Sequence, residues 1–331
     1  MAVAVGVDAG TYSYRIAALE DDFFFFREIP TERVKEEPWI VLDILEELEP
    51  DTVVGPSAYG MCVKRFGELT EEDVAMMTLN FGESIMGLRR VIDLLRKSEF
   101  GTITWTIPGI SQLPTIPKHR RINRIDMGTS DKLCSVALAM KEFELKDFVL
   151  VEAGYGFNAF VAVKDGKIVD GMGGTSGFPS FSSMGSLDGE LAYLLGSISK
   201  TTLFKGGISS LLKDVGYDPV FDDLPDFAVE WISEFLLKGL RVMEVSVGEC
   251  EVVVSGRFFD RYYEEFVEFS GIEAKRLHGR SAAEGGAVLA NGLAGGEYEW
   301  IVESLRIRDA EPPLSNLTSD VRSLISLRFF P

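Results

Sequence analysis

Apolar residues alternate with small ones over residues 3–7, and two further apolar-rich runs follow over 12–19 and 23–29, a pattern that predicts three short strands. Asp21 and Asp22 supply the turn between the last two, so the chain opens as a β-meander. A helix is expected over about residues 32–48, carrying Ile40, Leu42, Ile44, Leu45 and Leu48 inward, followed by a brief strand at 52–55. Thr70 and Asp73 have the spacing of a capping box and open helical territory to about residue 97, with a break around 80–82. A strand over 102–107 ends at Pro108 and Gly109. Thr129 or Ser130 caps a helix over 131–141, whose Leu133, Val136, Ala137 and Met140 share a face.

The pattern then restarts. Strands are expected at 148–152, 157–164 and 167–171, with Asp165-Gly166 as a positive-φ hairpin turn between the last two. A glycine- and serine-rich stretch over 171–189 leads to helical patterns at about 188–198, 206–213 and 224–238. A strand at 251–255 and an amphipathic segment at 258–269 follow. Ser281 and Glu284 read as a second capping box, opening a small-residue helix that ends near Gly292. No low-complexity linker separates the halves, so two domains, 1–146 and 147–331, are expected to pack around a cleft, the second carrying a helical insertion at about 180–240.

Composition narrows the class. The chain has 331 residues, 46% of them apolar, enough for two cores. A net charge of −19 opposes the attraction that nucleic acid or an anionic membrane needs, and neither is expected as a partner. The opening MAVAVGVDAG lacks a basic flank and meets Asp8 too early for a signal or spanning segment, which predicts a cytoplasmic protein. Cys62, Cys134 and Cys250 form no CxxC pair and read as free thiols; His119 and His278 have no ligand-spaced partners. One glutamine and five asparagines fit the amide avoidance of heat-adapted proteins. One anomaly remains: Lys118, His119, Arg120, Arg121 and Arg124 make a basic run that either draws anions into the protein or pairs with neighbouring acids.

The chemistry lies in a duplication. Val7-Asp8-Ala9-Gly10-Thr11 and Val151-Glu152-Ala153-Gly154-Tyr155 recur 144 residues apart, each after the first strand of a meander. Such a turn places a carboxylate at a strand end, able to hold Mg²⁺ directly or through water, while the glycine lets backbone N–H groups approach phosphate oxygens. Two facing copies make a clamp.

VGVDAGTYSYR resembles the first phosphate motif of the actin, sugar-kinase and heat-shock-chaperone superfamily, in the DxGTxSxR form of glycerol-kinase-like enzymes. VLVEAGYGFNAFVAV is similar to its second phosphate motif, with Glu152 where aspartate is usual, and VVVSGRFFD to its adenosine motif. The helices at 128–141 and 281–293 fall where that superfamily keeps its connecting helices. Within it, PTIPKHRRINRIDMGTSDKLCSVALAM and DGMGGTSGFPSFSSMGSLDGELAYL resemble an archaeal family described as predicted butyrate kinases. The resemblance implies an α/β fold of two ribonuclease H-like domains, each a five-stranded mixed sheet flanked by helices, around a nucleotide cleft. It implies ATP and Mg²⁺ as cofactors, transfer of the γ-phosphate to a short carboxylic acid, and a homodimer as the common assembly. A sugar or polyol acceptor, or an ATP-driven switch without acceptor, remain open alternatives.

The site residues follow from these motifs. Asp8 and Glu152 are the expected metal carboxylates. Gly10, Thr11, Tyr12 and Ser13, with Gly154, Tyr155, Gly156 and Asn158, are expected at the phosphates. Gly256 and Arg257 are expected at the adenosine, and Arg15 at the γ-phosphate or substrate. Asp126 stands where related kinases keep a catalytic carboxylate; since a carboxylic acid is already ionised at neutral pH, it would position substrate or metal rather than act as a base. Lys132, Gly173, Gly174 and Thr175 are candidates for the acceptor side.

Overall fold

A computed structural model describes residues 2–21, 23–79 and 87–329, with side chains to residue 325. The opening meander forms as β1 (Ala4–Ala9), β2 (Ser13–Glu20) and β3 (Phe23–Pro30). The single helix expected over 32–48 is two, α1 (Thr31–Glu36) and α2 (Ile40–Leu48). Pro38 separates them: it lacks the N–H an unbroken helix needs and disfavours helical backbone at Glu37. Then come β4 (Thr52–Val54), α3 (Glu71–Thr78), α4 (Leu88–Lys97) and a two-residue β5 (Thr104–Trp105). The Thr70 cap is made in both directions, Asp73 N–H to Thr70 Oγ1 and Thr70 N–H to Asp73 Oδ2. The break expected around 80–82 lies outside the described residues.

After α5 (Lys118–Arg121) and α6 (Ser130–Phe143) the meander repeats as β6 (Phe148–Ala153), β7 (Asn158–Lys164) and β8 (Lys167–Met172). The remaining elements are α7 (Gly189–Leu195), α8 (Ile208–Asp214), α9 (Asp226–Val247), β9 (Glu251–Ser255), α10 (Arg257–Ser270), β10 (Lys275–Arg276), α11 (Ser281–Leu293), α12 (Glu299–Ser304) and α13 (Ser319–Phe329).

The two sheets have one topology. The first runs β3-β2-β1-β4-β5 and the second β8-β7-β6-β9-β10, each an antiparallel meander continued by parallel strands. Even the register repeats: Asp8 pairs with Arg15 and Ala9 with Tyr14, as Glu152 pairs with Ala159 and Ala153 with Asn158. Parallel neighbours put the ends of β1 and β6 at a crevice, where open α/β sheets bind ligands.

Helices α6 and α11 cross between the sheets. Although α11 follows the second sheet in sequence, it packs on β1, β2 and β4 of the first. The apolar residues of both helices belong to one core with Leu150, Val161 and Val163 of the second sheet and Ala4 and Val54 of the first. The capping box read at Ser281 does not form: Arg280 precedes the helix, and the buried Ser281 hydroxyl instead meets Ser135 and Ser255 at 3.0 and 2.6 Å.

Candidate functional site

The two turns close alike. Gly10 N–H donates to Ser13 O at 3.1 Å, and Gly154 N–H donates to Phe157 O at 3.0 Å. Both turns line a single cleft together with Gly256, Arg257, Asp126, Lys132 and the 173–175 loop. Across it the Tyr12 and Tyr155 rings stand 6.0 Å apart, and the Arg257 guanidinium lies 3.8 Å over Tyr12. Arg257 thus sits where a planar group is stacked, on a tyrosine rather than a base. Arg15 spans the halves, donating to Gly279 O and, at 3.3 Å, to Glu28. Ser13 is buried and its hydroxyl donates to Glu28, so its side chain is already committed.

Asp8, Asp131, Lys132 and Glu152 form the charged floor. Lys132, in the first turn of α6, places Nζ 2.5 Å from Asp131 Oδ2 and 2.5 Å from Glu152 Oε1. Ser135 donates to the other Glu152 oxygen at 2.9 Å. Burial works against ionised Asp131, yet the Lys132 ammonium and the hydroxyl of Thr129 hold its carboxyl below the usual range. Burial likewise opposes charge on Lys132, and the two carboxylates more than offset it, raising the ammonium's pKa. Among the described residues no ammonium or hydroxyl is held against Asp8 in this way, and the Arg15 and Lys132 charges act on it without outweighing its burial. Burial first, then the Asp131 charge, pushes it up to about 7.

Among the described residues no three acidic, imidazole or thiol groups converge on a metal position. Magnesium is usually held by one or two carboxylates together with substrate phosphates rather than by a protein cage. The floor fits that mode, with Asp8 the carboxylate left open, and not an ion held by protein alone.

Besides Ser13 and Glu152, whose side chains are engaged by Glu28 and by Lys132 and Ser135, two further expected site residues act differently. Asn158 does not line the cleft; it is buried in β7 and donates to Pro179 O at 3.0 Å, because the alternation of the strand turns it inward. Asp126 does face the cleft but braces the glycine loop: Oδ2 accepts from Thr175 N–H and Oγ1 at 2.8 and 2.7 Å, and Oδ1 from Gly128 N–H at 3.2 Å. Gly173, Gly174 and Thr175 are thereby held at the cleft wall.

The basic run takes the bland role. Arg121 is buried against Glu311, Arg120 donates to Val169 O, and Asn316 donates to the carbonyls of Arg121 and Arg124. None of its residues lines the cleft.

Sequence reasoning missed Lys200. It leaves the second half, donates to Thr78 O and Leu79 O of the first at 2.7 and 3.3 Å, and lies 4.7 Å from the Tyr59 ring. Burial lowers its pKa to about 8. Leu203, Phe204 and Phe157 line the same wall. No periodicity or motif marks that stretch, so the only signal was a lysine beside the glycine- and serine-rich segment.

Duplicated meanders, exchanged connecting helices and paired glycine turns make a two-domain α/β fold of the actin-like ATPase type. The chain belongs to the family described as protein of unknown function (DUF1464), whose pattern matches residues 6–316. Acetate kinase from Entamoeba histolytica shares the fold, at TM-score 0.50 and 12% identity over 80% of this chain and 85% of that one. A ROK family protein from Streptococcus pneumoniae TIGR4, in complex with sucrose, matches at TM-score 0.49 and 13% identity over 89% and 99% of the two chains. Component A of (R)-2-hydroxyglutaryl-CoA dehydratase from Acidaminococcus fermentans matches at 0.45 and 14% over 91% and 100%. No curated protein matches the sequence. No described helix is long and apolar enough to cross a membrane.

Proposed function

We propose that the protein is an ATP-dependent phosphotransferase that phosphorylates a short-chain carboxylic acid. The observation that carries the reading is the pair of glycine turns, alike in strand register and hydrogen bonding, on opposite walls of one cleft. The Gly10 and Gly154 N–H groups close the turns themselves, which leaves the main-chain N–H groups of Thr11 and Tyr12 and of Tyr155 and Gly156 for the β- and γ-phosphates, and Gly256 and Arg257 take the nucleoside end. Lys132 and Arg15 supply fixed positive charge. Asp8 would be the residue to hold magnesium arriving with the nucleotide, and the ion would supply charge neutralisation at the phosphates.

The acceptor wall favours an acid over a sugar. It is built from Tyr59, Leu203, Phe204 and Phe157, with the Lys200 ammonium among them. A sugar hydroxyl must give up a proton, and the carboxylate best placed to take it, Asp126, has both oxygens engaged. A carboxylate needs no base. Its oxygen forms the new bond to the γ-phosphorus as the bond to the β–γ bridging oxygen breaks; ADP and an acyl phosphate leave, and no proton moves. Catalysis is then positioning and charge neutralisation.

The test is ADP release with a panel of straight-chain acids and polyols, trapping product with hydroxylamine. Acid-dependent ADP and hydroxamate in equal amounts are expected. Stimulation by polyols alone would move the acceptor to a sugar or polyol; nucleotide-dependent closure with no acceptor effect would make the protein a switch. Lys200→Met is expected to raise KM for the acid at least about tenfold, roughly 1.4 kcal/mol, with ATP affinity unchanged.

A further inference from the structure

Carboxylates beside a phosphate site repel the phosphates, and a divalent ion is the usual remedy. Here the remedy is part of the chain. Asp131 at the start of α6 and Glu152 at the end of β6 hold a single nitrogen, Lys132 Nζ, between them. Both Lys132 and Glu152 are 13% exposed at the side chain, so the ammonium has exchanged most of its hydration for these oxygens. The remaining Glu152 oxygen is taken by Ser135, whose hydroxyl also meets Ser281. The geometry is therefore fixed from β6, α6 and α11 at once.

Two carboxylate oxygens on one nitrogen are also the start of a divalent-cation shell, and two cations cannot occupy one such gap. We propose that Lys132 is the resident cation of the phosphate site: it stands between Asp131 and Glu152 where a divalent ion would otherwise bind, so the nucleotide-free protein takes up no metal and metal enters only as the metal–nucleotide complex. The proposal rests on the reading of the cleft as a nucleotide site. It explains why Asp8, outside the ammonium's direct contacts, is the carboxylate left open for an arriving ion.

Mn²⁺ is the probe, because binding removes the electron paramagnetic resonance signal of the free ion. Without nucleotide, wild type is expected to leave that signal unchanged. Lys132→Met is expected to take up about one equivalent with at least about tenfold higher affinity. Lys132→Arg, which keeps the charge, should stay silent, and adding Glu152→Gln to Lys132→Met should abolish the gain. Should Lys132→Met not fold in metal-free buffer, its thermal midpoint is compared in Mn²⁺ and in sodium chloride of equal ionic strength; a rise with Mn²⁺ alone supports the proposal and no rise overturns it. Wild type binding Mn²⁺ as tightly as Lys132→Met, or folded Lys132→Met binding none, overturns it as well. ATP titrated into the same samples reports separately on the nucleotide reading: failure to bind ATP, with the Mn²⁺ pattern intact, removes that reading and leaves the lysine's role standing.

Discussion

Ionising the buried Asp8 carries a cost that is open to measurement. Its pKa rises from an ordinary 3.8 to about 7, chiefly through burial. The folded protein therefore keeps a proton that the unfolded chain releases between those values. Asp8's contribution to stability is full below the lower value and lost as pH climbs through the upper one. Between about pH 5 and about pH 8, nucleotide-free wild type is expected to lose at least about 1 kcal/mol relative to Asp8→Asn in urea unfolding; parallel pH profiles would contradict this. Arg121 makes the opposite case, a cation with a structural post. Arg121→Ala is expected to cost about 1–3 kcal/mol by leaving the partly exposed Glu311 without its partner, and to leave ATP affinity unchanged by calorimetry. The placing of Asp8, Glu152 and the turn glycines at strand ends on one cleft was legible because that signal is local, an acid and a glycine after a strand. Asn158, Asp126 and Lys200 were not, since their partners at Pro179, Thr175 and Thr78 are set by tertiary packing that no spacing records.

Among elements, the crossing of α6 and α11 fixes how the halves meet. A Cβ on Gly285 would lie 1.8 Å from the Cys134 carbonyl oxygen, a distance that forces the helices apart. Gly285→Ala is expected to destabilise the protein by about 1–3 kcal/mol in urea unfolding, with no shift contradicting the tight crossing. Element reading from the sequence succeeded where one rule governed, as in the meanders, the Asp165-Gly166 turn and the Thr70 cap. It failed at Pro38, where a local break went unread, and elsewhere where tertiary demands overrode the local signal. The helix expected to stop at 238 runs on as α9 to Val247, because Gly239 is not a breaker there but makes room for the Phe160 ring, 2.2 Å from where its Cβ would be. Ser281 was misread as a cap because its hydroxyl serves the contact with Ser135 and Ser255.

For the whole molecule, the informative signal was repetition. Either acid–alanine–glycine turn alone is ordinary; two of them 144 residues apart in matching meanders gave the two-sheet architecture. The return of α11 to the first sheet was invisible to local patterns, since a small-residue helix fits either face. The same repetition makes the central claim a joint one, that both turns grip one nucleotide. Backbone hydrogen exchange with and without Mg-ATP tests it directly. Slower exchange is expected in both Gly10–Ser13 and Gly154–Phe157, with the basic segment 118–124 unchanged. Protection in only one turn, or in neither, would contradict the account.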